Sequence, residues 1–192
     1  MSVNTCKFKP VPGITASILR TIAEEMLPFY QAVAASESFA REWSRSIVRA
    51  DLSAMRKLLD TAAPSAGKQG LGTNGIGYFM TFGFPKEDVY YTNGTTIPPG
   101  NVRFTFQTGT HRQIAKAVIP FYRELICNRP YAQTLAKAIR RKDRRAAAYM
   151  VRSLIGTKAL RSVEIESSGI TLTFKYRSTK WIYQNLLILE PF

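Results

Sequence analysis

The chain has 192 residues, 45% of them apolar and 11% aromatic, enough to bury a core in one domain or two small ones, and this excludes a disordered chain. Against 13 acidic residues stand 27 lysines and arginines, a net charge of +14 that favours polyanionic partners. One histidine and two cysteines exclude most zinc and thiol chemistry.

Residues 1–13 read as an extended N-terminal arm without the apolar stretch of a secretory signal. No apolar run approaches the ~18–20 residues of a membrane span. Cys6 and Cys127 are too few for a disulfide framework, so the expectation is a cytoplasmic protein without membrane contact. A first helix then carries Leu27-Pro28-Phe29-Tyr30, where the proline must kink the helix or begin a new one. Ser36 is placed to cap a second helix, with Phe39, Trp43 and Ile47 along one face. Asp51 is placed to cap a third, whose apolar stripe is Met55, Leu58, Leu59 and Ala62.

The glycine-rich stretch 67–77 holds Gly70, Gly72 and Gly75 at the spacing of a dinucleotide fingerprint. It follows a helix and precedes a strand, the reverse of the order that brings phosphates to a helix N-terminus. It therefore reads as a flexible connector. Tyr78, Met80, Phe82 and Phe84 alternate with Phe79, Thr81 and Gly83, the period of a half-buried strand. Asn93-Gly94 reads as a turn, and residues 102–107 (VRFTFQ) as the next strand.

Past residue 108 the pattern begins again. At an offset of 92, residues 22–51 align without a gap on residues 114–143, with nine of 30 positions identical. They include Pro28/Pro120, Phe29/Phe121, Tyr30/Tyr122 and Asp51/Asp143. Asn128 and Asp143 take the capping places, and the hairpin at Ser167-Ser168-Gly169 and a last apolar strand follow. The expected fold is α+β, a tandem duplication of a ~90-residue helix-helix-helix-strand-strand unit in a pseudo-twofold arrangement. The units span residues 14–108 and 109–192.

The units differ in charge. Residues 109–192 hold 16 of the 27 basic and 5 of the 13 acidic residues. The densest part is residues 137–145, with Lys137, Arg140, Arg141, Lys142, Arg144 and Arg145 at a helix–helix corner. Arginine forks match phosphate oxygens, and counterion release drives such binding. Lys175 and Arg177 add charge to the polar face of a strand. These eight residues are the expected nucleic-acid contacts.

Other chemistry is thin. His111 has no partner at metal-ligand or catalytic spacing and reads as a surface or capping residue. Glu164 and Glu166 share a strand face opposite Lys175 or Arg177, and Cys127 reads as a small core residue. Tyr90, Tyr91, Trp181 and Tyr183 fall outside the apolar phase and are candidate contact residues. No catalytic constellation, metal site or cofactor motif emerges. The expectation is a non-enzymatic protein that binds a polyanion, DNA or RNA, through its second unit. The alternative is a self-assembling structural subunit of coat, capsid, appendage or storage-body type, forming a homo-oligomer or polymer.

Overall fold

The computed structural model describes residues 13–100 and 103–190, so all of the expected N-terminal arm but Gly13 lies outside the described residues. Helix α1 (Ala16–Ala35) starts where Thr15 Oγ1 accepts the Ile18 amide at 3.2 Å. Helix α5 (Thr108–Cys127) occupies the same span 92 residues on. Pro28 and Pro120 each sit inside a continuous helix, so neither begins a new one. The lost amide bond is offset by packing, since Phe29, Tyr30, Phe121 and Tyr122 are all buried.

Helices α2 (Glu37–Arg49) and α6 (Arg129–Arg140) are capped by Ser36 and Asn128, which accept the Phe39 and Tyr131 amides at 3.2 and 3.0 Å. Both lead into sharp corners through left-handed residues, Ala50 at φ 54° and Lys142 at φ 55°. Asp51 and Asp143 then accept the Ala54 and Ala146 amides, each at 2.9 Å, opening α3 (Leu52–Ala62) and α7 (Arg144–Arg152). A short α4 (Pro64–Gly67) follows α3. No helix among the described residues is long and apolar enough to cross a membrane.

The strands are β1 (Gly70–Thr73), β2 (Gly77–Phe84), β3 (Val89–Thr96), β4 (Leu160–Glu166), β5 (Gly169–Phe174) and β6 (Tyr183–Leu189). They form one antiparallel sheet in the order β1-β2-β3-β6-β5-β4, giving a mixed helix-and-sheet α+β architecture. Strands β3 and β6 meet at its centre, where Gly94 faces Leu186. Those residues are themselves 92 apart. On either side of them, Asn93 faces Leu187 while Thr95 faces Asn185. Gly77 and Gly169, also 92 apart, leave no room for a Cβ against Thr96 and Leu187 of the neighbouring strands. A single hydrophobic cluster draws on every segment from Ile14 to Leu187.

Several expectations are corrected. Each helical set is followed by three strands, not two. The glycine-rich stretch is not a connector, because Gly70–Thr73 pairs with residues 78–81 as an edge strand. Asn93-Gly94 is not a turn but the middle of β3, whose Val, Tyr and Thr residues suit a pleated surface. The chain reverses at 85–88 instead, with Asp88 at φ 56°. That short return sets β3 beside β2, a pairing that costs little closure entropy because the loop is short. The described residues 103–107 form no strand, and Phe104 is 70% exposed. Tyr91 and Tyr183 are core residues rather than contact residues, and Cys127 is exposed at the end of α5 rather than buried.

The two aspartate caps are architectural. Asp51→Ala and Asp143→Ala should each lower the unfolding free energy by about 0.5–2 kcal/mol in urea titrations. Unchanged midpoints for both would remove the caps from the account of the corners.

Candidate functional site

Two assemblies of polar groups merit attention, one buried and one on the surface. The buried one lies where α1 and α5 cross the β3–β6 seam. Tyr30 Oη donates to Asn93 Oδ1 at 2.8 Å, and Asn93 Nδ2 donates to Tyr122 Oη at 2.5 Å. Tyr122 Oη donates to Asn185 Oδ1 at 3.4 Å, and Asn185 Nδ2 returns to Tyr30 Oη at 2.8 Å. The four groups close a ring of hydrogen bonds. Each amide also reaches a backbone carbonyl of the opposite strand, Asn93 to Leu186 at 2.7 Å and Asn185 to Gly94 at 3.1 Å. Burial pushes the Tyr30 and Tyr122 hydroxyls above the usual phenol range. All four residues are at most 2% exposed, so the ring holds the seam together rather than facing a ligand.

His111 extends this centre on one side. It is buried, not at the surface as expected, among Phe29, Tyr78 and Phe106. Tyr78 Oη donates to Thr95 Oγ1 at 3.2 Å and lies 3.1 Å from His111 Nε2. Nδ1 is buried without a partner. Desolvation pulls the imidazole down to about 3. The residue 92 positions earlier is Leu19, so this extension belongs to one half alone.

The surface assembly is the α6–α7 corner. Lys137, Arg140, Arg141, Lys142, Arg144 and Arg145 are all exposed. The ion pairs among the described residues join Arg20 to Glu24, and Arg41 and Arg112 to Glu37, and leave these six cations unpaired. Asp143, inside the run, is committed to the α7 cap. Arg140 is fixed by a 2.7 Å bond from Nη1 to the Ile14 carbonyl, and its stem runs so close to Gly13 that a Cβ there would lie 2.9 Å away. Arg140, Lys142 and Arg144 line a cleft of about 620 Å³ floored by Ile139 and Ile165, with Ser167 and Ser168 on its rim. Among the described residues no acidic side chain lines it.

Lys175 and Arg177 lie elsewhere. They line a second cavity of about 490 Å³ with Lys158 and Arg161, and Lys175 Nζ donates to the Thr179 carbonyl at 2.8 Å. The eight expected contacts thus divide into six at one corner and two beyond the other end of β4, where they gain two basic neighbours that the sequence reading missed. Lys158 and Arg161 are isolated in the sequence and meet Lys175 only through the β4–β5 pairing, which carries on to a 2.8 Å bond from the Lys175 amide to the Ala159 carbonyl. Glu166 does not pair with either cation of the expected hairpin face; it accepts from Thr171 Oγ1 at 2.7 Å.

The corner of the first half gives the contrast. There a hollow of about 360 Å³ is lined by Arg45, Arg49 and Lys57 together with Glu42 and Asp51. Among the described residues no cluster of three or more His, Cys, Asp or Glu could hold a metal ion. No protein family, curated protein or solved structure matches this chain.

Protonation of His111 should make stability depend on pH in a defined window. The unfolded imidazole binds a proton below about 6.5, whereas the folded one stays neutral down to about 3. Stability is therefore complete above pH ~6.5 and falls as the pH drops toward ~3. Unfolding free energy at about pH 5 should lie about 2 kcal/mol below that at about pH 7.5. His111→Leu, which installs the residue found at position 19, should abolish most of this drop. An equal drop in that variant would place the titration elsewhere.

Proposed function

We propose that the chain is a tandem duplication whose second half is a non-enzymatic binding surface for a polyanion, DNA or RNA, in the cytoplasm. The duplication draws support from the helix starts, which recur at the 92-residue offset, and from the exchange of Asn93 and Asn185 across the central pair. The binding reading rests on one observation above the rest. At the α6–α7 corner six exposed cations carry no ion pairs among the described residues, and three of them, Arg140, Lys142 and Arg144, line a cleft with no acidic residue in its described lining, while the first-half corner sets Glu42 among Arg45, Arg49 and Lys57. Such a surface suits phosphates, because Arg donors match their oxygens and the condensed counterions are released.

The self-assembly reading draws on different features. Phe104 is 70% and Ile182 46% exposed, and β1 and β4 are the outer strands of the sheet. Contact between copies would cover such groups. The net charge of +14 opposes dense self-packing without an anionic neighbour. Size-exclusion chromatography at low and high salt separates the readings. Nucleic acid released only by high salt supports binding, and a salt-resistant large species free of nucleic acid supports assembly.

The direct test is charge reversal at Arg140, Arg141, Arg144 and Arg145, compared with reversal at Arg45 and Arg49. On one mixed-sequence ligand, each lost second-half contact should lower the slope of log affinity against log salt by about 0.7–0.9. The weakening should be nearly uniform across sequences, because phosphate contacts carry no base information. Arg45 and Arg49 should matter much less, with Glu42 and Asp51 beside them. Equal losses from both sets would point to the general field, and no loss from the second-half set would favour assembly.

A further inference from the structure

Among the large apolar side chains described, Tyr149 is the most exposed, at 78%. It stands one turn after Arg145 on α7 and shares with Asp143, Arg145 and Ala146 a shallow hollow of about 350 Å³. No hydrogen bond or ring contact among the described residues engages its side chain. Arg144, next to Arg145, lines the cleft on the other side of the same corner. The corner is thus a ridge with a basic cleft on one flank and an open aromatic ring on the other. At the corresponding positions of the first half stand Leu52, Ser53 and Lys57, so arginines and ring occur together only in the second.

Arginines at a surface do not distinguish a duplex from a single strand, since both present phosphates. An exposed ring does. Its face is useful only to a base whose own face is free, and in a duplex neighbouring bases cover both faces. We infer that the ligand of this surface is single-stranded nucleic acid, one base of which stacks on Tyr149 while the flanking phosphates meet Arg144 and Arg145. This rests on the nucleic-acid reading above and adds to it the strandedness of the ligand.

The test is fluorescence anisotropy of the full chain with three labelled probes: a mixed-sequence strand, its duplex, and a strand of the same length made wholly abasic. Tyr149→Ala should weaken binding of the base-bearing strand about 5- to 150-fold and leave the other two probes unaffected. Tyr149→Phe, which keeps the ring, should restore the lost affinity. Both variants should melt with the unaltered chain, since the ring is exposed. Equal loss on strand and duplex would overturn the inference. So would full strand affinity in Tyr149→Ala while Arg144→Glu with Arg145→Glu still weakens it, an outcome that leaves the nucleic-acid reading standing. An unaltered chain that binds none of the probes overturns both. If polyglutamate binds in preference to the strand and depends on Tyr149, the surface belongs to an acidic protein and the inference fails.

Discussion

The ring of hydrogen bonds through Tyr30, Asn93, Tyr122 and Asn185 is the constraint on which the rest of the structure depends. A buried polar group left without a partner costs about 1–3 kcal/mol, so four such groups are stable there only while all remain joined. Side chains alternate across a strand, so sliding β3 past β6 by one residue would turn one of the two asparagines to the opposite face and orphan the phenols. The ring therefore reinforces, at the centre of the sheet, the register that the buried apolar face also demands. Helices α1 and α5 are tied to that register through Tyr30 and Tyr122, whose rings meet edge to face at 4.9 Å. The corners that follow α2 and α6 inherit their positions from those two helices.

Inside this frame positions 92 residues apart keep the same jobs, and outside it they diverge. The Asp51 and Asp143 caps, the left-handed Ala50 and Lys142, and the close approaches at Gly77 and Gly169 all serve backbone geometry. The exposed corner residues are under no such demand. Fold stability does not account for six cations there. They carry no ion pairs among the described residues, and of the six only Arg140 is tied, to the Ile14 carbonyl. Like charges on neighbouring helical turns cost about 0.2–0.5 kcal/mol per pair. A charge cluster with a small structural cost and little structural return is what the proposed anion-binding role would need.

The sequence carried the helical half of the fold well, because helix caps and 3.6-residue periodicity are local signals. Ser36, Asp51, Asn128 and Asp143 sit at breaks visible in the pattern, and each caps the helix it precedes. The sheet was less legible. Asn93-Gly94 obeys a strong local rule for turns, yet the ring and the flanking strands hold it extended. The same self-comparison, carried past Asp143, matches Gly77 with Gly169, Phe82 with Phe174, Tyr91 with Tyr183, and Asn93 with Asn185. That signal would have placed β3 without any local rule. His111 offered no such clue, since its burial is set by Phe29 and Tyr78, distant in the chain, and by Phe106 in the irregular segment before α5. The basic corner was visible as a contiguous run. The second basic cavity was not, because β4–β5 pairing assembles it from separate segments.

The two basic cavities sit at opposite ends of β4: Ile165 belongs to the corner cleft, Ala159 and Arg161 to the other. A strand of this length spans about 20 Å at ~3.3 Å per residue. At physiological ionic strength the Debye length is about 8 Å, so the two cavities do not feel each other's field and a ligand must touch each to gain from it. At about 0.01 M salt the screening length grows to about 30 Å and the cavities act as one positive surface. For the proposed ligand this separates reach from charge. Oligonucleotides shorter than about 20 Å should show the salt slope of one cavity, and longer ones a steeper slope that levels off once both are engaged. Reversing charge at Lys158, Arg161, Lys175 and Arg177 should return long ligands to the short-ligand slope and leave short ones that occupy the corner unaffected. A slope independent of length would mean that the second cavity takes no part in binding.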